Sequence, residues 1–281
     1  MSGYFEKAPL SYVSIRLNTT ILPKPIDSQK AQLQQAMLGC DLVFYETSIG
    51  KRVKLNNDVN NQFNVDDVVR YGFLDAEKLN SLIFDETGIE WRTTQYTEYD
   101  QFIERFSNIF TNFIEAASIY SKARVSEIVL SYVDMIIPDE GCGLNQYFSD
   151  IIKLPVADEL KTGVFTVGVT SISNVIHDNL KIDISLEQLP QKFKKYLPEA
   201  VIEPEIKFGM NITNPAVLSD DNGTEYALLM TRASILIDKK LGELNCVDDA
   251  KPLHEITKDT FYKVINEEFC KEKWNYVEGG Q

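Results

Sequence analysis

Apolar and polar residues alternate strictly in several stretches of this chain. Val13, Ile15 and Leu17 carry the first. Leu180, Ile182, Ile184 and Leu186 alternate with Lys181, Asp183, Ser185 and Glu187, and Ile206, Phe208, Met210 and Ile212 alternate with Lys207, Gly209, Asn211 and Thr213. A period of two sends successive side chains to opposite faces of a pleated strand, so each stretch predicts a strand with one buried and one wet face. Elsewhere the period is helical. Tyr99, Phe102, Ile103, Phe106, Phe110, Phe113 and Ile114 recur at three- and four-residue spacing behind a Thr97 cap, with Asp100 completing a capping box. They predict the longest helix, its apolar stripe laid across a sheet. Phe261, Val264, Ile265, Phe269 and Trp274 predict a closing helix near 257–273.

Punctuation residues order these elements. A short helix runs from Asp27 or Ser28 to Leu38 and stops at Gly39. Leu42 to Ile49 and Arg52 to Leu55 flank Gly50-Lys51 and read as a hairpin, with the asparagine-rich stretch Asn56 to Asp67 as a loop. Strands at 79–84 and 89–93 surround the Thr87-Gly88 turn, and Glu127 to Ile137 forms a strand that Pro138 ends. The stretch Pro138 to Gly143 is the expected boundary. Beyond it come a short helical stretch near 145–152 and strands near 163–172, 180–187, 205–213 and 225–238, the last two joined at Asp221-Asn222-Gly223. The fold class expected is therefore α+β, with two similar halves, 1–140 and 141–281, each an antiparallel sheet with a helix packed across it.

Charge narrows the function. The chain has 281 residues and a net charge of -14, from 28 basic and 42 acidic side chains. Both halves are acidic, which disfavours nucleic acid and anionic membrane surfaces, because both are bound through clustered Lys and Arg. It suits a basic protein partner. No apolar run reaches the length of a membrane span, and Met1 to Leu10 has no basic stretch followed by an apolar core. Cys40, Cys142, Cys246 and Cys270 lie far apart without a C-x-x-C pair, so four lone thiols in a reducing cytoplasm are expected. Cytoplasmic localisation follows from the same reading.

Candidate chemistry is sparse. The phosphate-loop, dinucleotide, zincin and hydrolase-elbow motifs do not occur. His177 falls in an expected turn and His254 just before the last helix, and both read as surface or capping residues. Pro138-Asp139 followed by Glu159-Leu160-Lys161 has the spacing of a metal-dependent nuclease, but an acidic chain with four [DE]-x-K triplets produces such a match by chance. Asp66-Asp67, Asp220-Asp221 and Asp248-Asp249 read as turn residues. No metal site, cofactor or catalytic residue is expected.

Leu130-Ser131-Tyr132-Val133-Asp134 followed by Ile136, and Leu253-His254 followed by Phe261, resemble a sporadically distributed family of bacterial proteins of about this length. The similarity runs in order through Pro9-Leu10, Trp91 before the long helix, the mid-chain strand, Leu236-Ile237-Asp238 and the final helix. That family has no settled biochemical function. Its irregular distribution implies carriage on mobile elements, as for defence or toxin-neutralising genes. It tends to show arginine, glycine and asparagine in the mid-chain strand, where this chain has Ser131, Val129 and Asp134, so what is shared is architecture. The expected role is a non-catalytic, protein-binding component of a bacterial anti-phage defence or toxin-neutralising system. Its partner would be a basic protein encoded nearby, met through a sheet face or edge, and homo-oligomers are compatible with it. Tyr132 and Asp134, at the strand end near the boundary, are the binding residues expected. The alternative is a small-ligand or nucleotide sensor, or an enzyme with an unrecognised site, in the groove between the halves.

Overall fold

The computed structural model describes residues 3–55, 63–155, 167–177, 179–213, 218 and 224–278. It is mixed α+β, dominated by one antiparallel sheet of nine strands. In chain order these are β2 (Leu10–Thr19), β3 (Phe44–Leu55), β4 (Phe63–Leu74), β5 (Asn80–Asp85), β6 (Gly88–Thr93), β7 (Arg124–Ile136), β8 (Gly168–His177), β9 (Leu180–Pro190) and β10 (Glu225–Lys240). They are arranged β3-β4-β5-β6-β2-β7-β10-β9-β8. A separate pair, β1 (Gly3–Phe5) and β11 (Tyr276–Glu278), ties the two ends of the described chain together.

Three helices, α1 (Asp27–Leu38), α2 (Tyr99–Ala116) and α3 (Cys246–Val264), cover one face. The stripe on α2 behaves as its spacing demands: Phe102, Ile103, Phe106, Phe110 and Phe113 are buried against Val13, Ile15, Leu17, Phe84 and Trp91 of the sheet. Each buried aromatic or aliphatic side chain contributes about 1.5–3 kcal/mol, enough to hold the helix flat on the strands. The same core cluster includes Ile182, Ala233 and Leu253. The sheet and its core thus run unbroken past residue 140, with β7 paired to β2 on one side and β10 on the other. No helix among the described residues is long and apolar enough to cross a membrane.

Several local expectations are overturned, each for a visible reason. Gly50-Lys51 is not a turn but the middle of β3, because β4 sets Asp67 opposite Lys51 and Asp66 opposite Arg52. The opposed charges of Lys51 and Asp67 favour this cross-strand pairing, which also puts Asp66-Asp67 in a strand. Asp248-Asp249 sits in the first turn of α3, where carboxylates complement the helix dipole, beyond an Asn245 cap. His254 consequently lies inside α3. Pro252 stands in the second turn of α3, where it removes the backbone hydrogen bond to the Asp248 carbonyl. The closing helix is two pieces, since α3 ends at Val264 and α4 (Glu267–Lys273) restarts behind an Asn266 cap.

The 205–213 stretch forms no strand. Both edges of β10, the strand it was expected to join, are taken by β7 and β9, and Phe208 is buried while Ile206 is 94% exposed. The hairpin expected at Asp221-Asn222-Gly223 and the pair Asp220-Asp221 lie outside the described residues. Residues 191–213 instead cross the second face of the sheet as a strap. Leu197, Val201 and Met210 pack on Tyr12, Val133 and Met230, and Phe208 packs on Leu74 and Ile83.

Candidate functional site

The mid-chain strand β7 places Tyr132 and Asp134 on the helix-covered face. Both are buried, at 8% and 4% exposure. The Tyr132 hydroxyl lies 3.0 Å from Nδ1 of His254, whose ring stacks on Tyr99 at 3.9 Å between centroids, and Tyr96 meets Tyr132 edge to face. Burial, with the nearby Lys258 ammonium, pushes His254 down to about 4, so the imidazole is neutral at pH 7. Burial alone pushes Asp134 up to about 8. The set is therefore an uncharged polar seam between β7, the start of α2 and the middle of α3. Tyr132 and Asp134 are the residues expected to bind a partner, and the structure buries both; His254, expected at the surface just before a helix near 257–273, lies inside α3 instead.

The wet face carries the chain's main charge network. Register aligns Ser81, Arg92, Ser14, Ser131, Arg232, Asp183 and Ser173 in one row across seven strands. Arg16 and Glu90 stand one residue pair along, and Arg70 comes from β4. Ser14, Arg16, Arg70, Glu90, Arg92, Ser131 and Arg232 line a cleft of about 480 Å³ beside the strap. Glu203 of the strap accepts hydrogen bonds from Arg70 at 2.5 and 2.9 Å and from Arg92 at 2.7 Å. Glu90 lies within 3.4 Å of Arg16 and 3.1 Å of Arg92. Burial pushes both carboxyls up, but the adjoining guanidinium groups outweigh it and leave both below the ordinary carboxylate value. The network is ionised at neutral pH. A signal for it existed in sequence: Ser14 and Arg16, and Glu90 and Arg92, occupy the wet positions of alternating strands.

The third feature is the β3 edge of the sheet. The turn closing α1 is tight, with Asp41 N–H donating to the Leu38 carbonyl and Leu42 N–H to that of Met37, and Asp41 left-handed at φ 64°. It leaves Leu38 58%, Val43 47% and Phe44 44% exposed, and Ile49 further along the edge 69% exposed. Between residues 38 and 49 the only charged side chains are Asp41 and Glu46. Phe44 and Glu46 lie on one face of β3 and Ile49 on the other, with the Lys207 ammonium 3.5 Å from the Thr47 carbonyl, so this edge, unpaired among the described residues, is apolar on both faces and can accept a strand from a partner.

Among the described residues no group of three or more His, Cys, Asp or Glu side chains could hold a metal ion. Glu159, Leu160 and Lys161 of the nuclease-like spacing lie outside the described residues. Comparison with known proteins finds no matching family model, no matching curated protein and no matching solved structure.

Proposed function

We propose that this chain acts by binding rather than by catalysis, as a component of a bacterial anti-phage defence or toxin-neutralising system that holds a basic protein partner on its β3 edge. The observation that carries this is the exposed strip Leu38, Val43, Phe44 and Ile49 with Asp41 and Glu46 beside it. The chain's charge of -14 complements a basic partner and speeds its encounter. The biological setting comes from the family resemblance and is part of the proposal. So is a two-half organisation. About the central β2–β7 pair the strand order is mirrored: β6 lies outside β2 and leads into α2, while β10 lies outside β7 and leads into α3.

The test is purification of the tagged chain from its native gene context with mass spectrometry of what co-elutes. A stoichiometric basic protein is expected, lost when Phe44→Asp and Ile49→Lys are combined and weakened by salt. A partner-free chain, or a partner indifferent to those substitutions, refutes the reading.

The cleft supports a second reading, a sensor of a small anionic ligand. Arg232 is half-buried on the cleft floor, and among the described residues no hydrogen bond or ion pair is made by it, while Asp183 stands opposite it in the β9–β10 register. Calorimetric titration with pyrophosphate tests it: heat that disappears in Arg232→Gln supports the sensor, and no heat rules it out.

A further inference from the structure

We propose that the chain forms a symmetric homodimer in which the outer edge of β8 pairs with β8 of a second copy. β8 ends the sheet opposite β3, and among the described residues no strand pairs with its outer edge. Its side chains stand open to solvent on both faces, with Val169 59%, Ile172 39% and Val175 65% exposed. Edge strands of this length are ordinarily guarded by charged side chains or proline, which deter further pairing. Residues 168–176, Gly-Val-Thr-Ser-Ile-Ser-Asn-Val-Ile, contain neither.

The strand fits itself. Outward from Ile172, Ser171 mirrors Ser173, Thr170 mirrors Asn174 and Val169 mirrors Val175. An antiparallel pair about a two-fold axis through Ile172, normal to the sheet, opposes valine to valine, serine to serine and isoleucine to isoleucine. From Val169 to Val175 every opposed pair then matches in polarity and nearly in size, which is the unit of sheet stabilisation, and only at the ends does Gly168 oppose Ile176. The contact is isologous, so it closes at two copies. Pairing β8 with the β3 edge of another copy would be heterologous and would propagate into filaments.

Directly opposed residues of adjacent strands point to the same face, so the dimer joins two nine-stranded sheets with all helices on one side. The two β3 edges then lie at the far ends. The proposal does not rest on the β3 reading, and substitutions in β8 leave the β3 strip intact.

Sedimentation equilibrium of the full chain across the micromolar range tests it. The expected mass is twice 32.0 kDa. Ile172→Lys sets two ammonium groups against each other at the axis and is expected to return the chain to monomer with an unchanged circular dichroism spectrum. Opposed residues lie about 4.5–5.5 Å apart, within disulfide reach, so Ile172→Cys should cross-link to itself on mild oxidation. Val169→Cys should cross-link only when mixed with Val175→Cys. A monomer at every concentration overturns the proposal, as does a dimer that Ile172→Lys leaves intact or one in which Ile172→Cys fails to cross-link. Should Ile172→Lys misfold, the cysteine pairs decide.

Discussion

Glu203 is where one substitution tests the strap most directly. Its side chain is 6% exposed and its two oxygens hold three hydrogen bonds from Arg70 and Arg92, themselves only 16% and 8% exposed. Glu203→Ala removes the carboxylate that joins the two guanidinium groups and leaves Arg92 with Glu90 at 3.1 Å and Arg70 with Glu205 at 3.6 Å as their remaining partners. Removing one partner of a buried pair costs about 3–5 kcal/mol, mostly from uncompensated charge, and the two carboxylates that remain put this loss at the lower end, about 3 kcal/mol. For a domain of this size that is a fall in Tm of roughly 6–12 °C.

The pH dependence gives the signature. The Glu203 carboxyl titrates below its ordinary value in the fold, so its stabilisation is complete above that value and is lost as pH falls through the folded one. The gap between wild type and Glu203→Ala should therefore be widest near pH 7 and narrow steadily below about pH 4.5. Urea melts followed by circular dichroism at a series of pH values measure both. A variant within about 1 kcal/mol of wild type at pH 7 would refute the argument that Glu203 anchors the strap, since that lies well below the cost of orphaning a buried charge.

Two further outcomes are expected. Asp134 titrates near 8 in the fold against an ordinary aspartate value of 3.8, so its contribution is complete below about pH 4 and is lost as pH rises to about 8. Asp134→Asn should abolish that decline and be more stable than wild type at pH 9, and urea melts at pH 5 and pH 9 compare the two. Gly72 faces the buried Phe208 ring, and a Cβ there would stand 2.6 Å from two of its carbons. Gly72→Ala should cost about 1–3 kcal/mol by overpacking and should expose the strap to limited proteolysis, the cleavage sites mapping to residues 191–213.

The features legible along the chain were local ones. The stripe from Tyr99 to Phe113 could only be an amphipathic helix, and Val13, Ile15 and Leu17 could only be a half-buried strand, because side-chain period follows from backbone geometry. The α+β class follows from those two patterns. Alternation at 206–212 had equal quality yet formed no strand, because β7 and β9 occupy both edges of β10 and the segment packs across the second face instead. Gly50-Lys51 looked like a turn until Asp67 and Asp66 arrived opposite Lys51 and Arg52, a pairing decided across the sheet. The polar groups followed the same division. Tyr132 and Asp134 stood out as a strand pair, but only packing of α2 and α3 brought Tyr99 and His254 against them. Arg70, Arg92 and Glu203 are separated by up to 133 residues, and only the strap's path over the wet face makes them one network. Periodicity is written in neighbours along the chain, whereas edges, buried charge and register depend on which distant segment arrives, and that is settled only when the whole chain has packed.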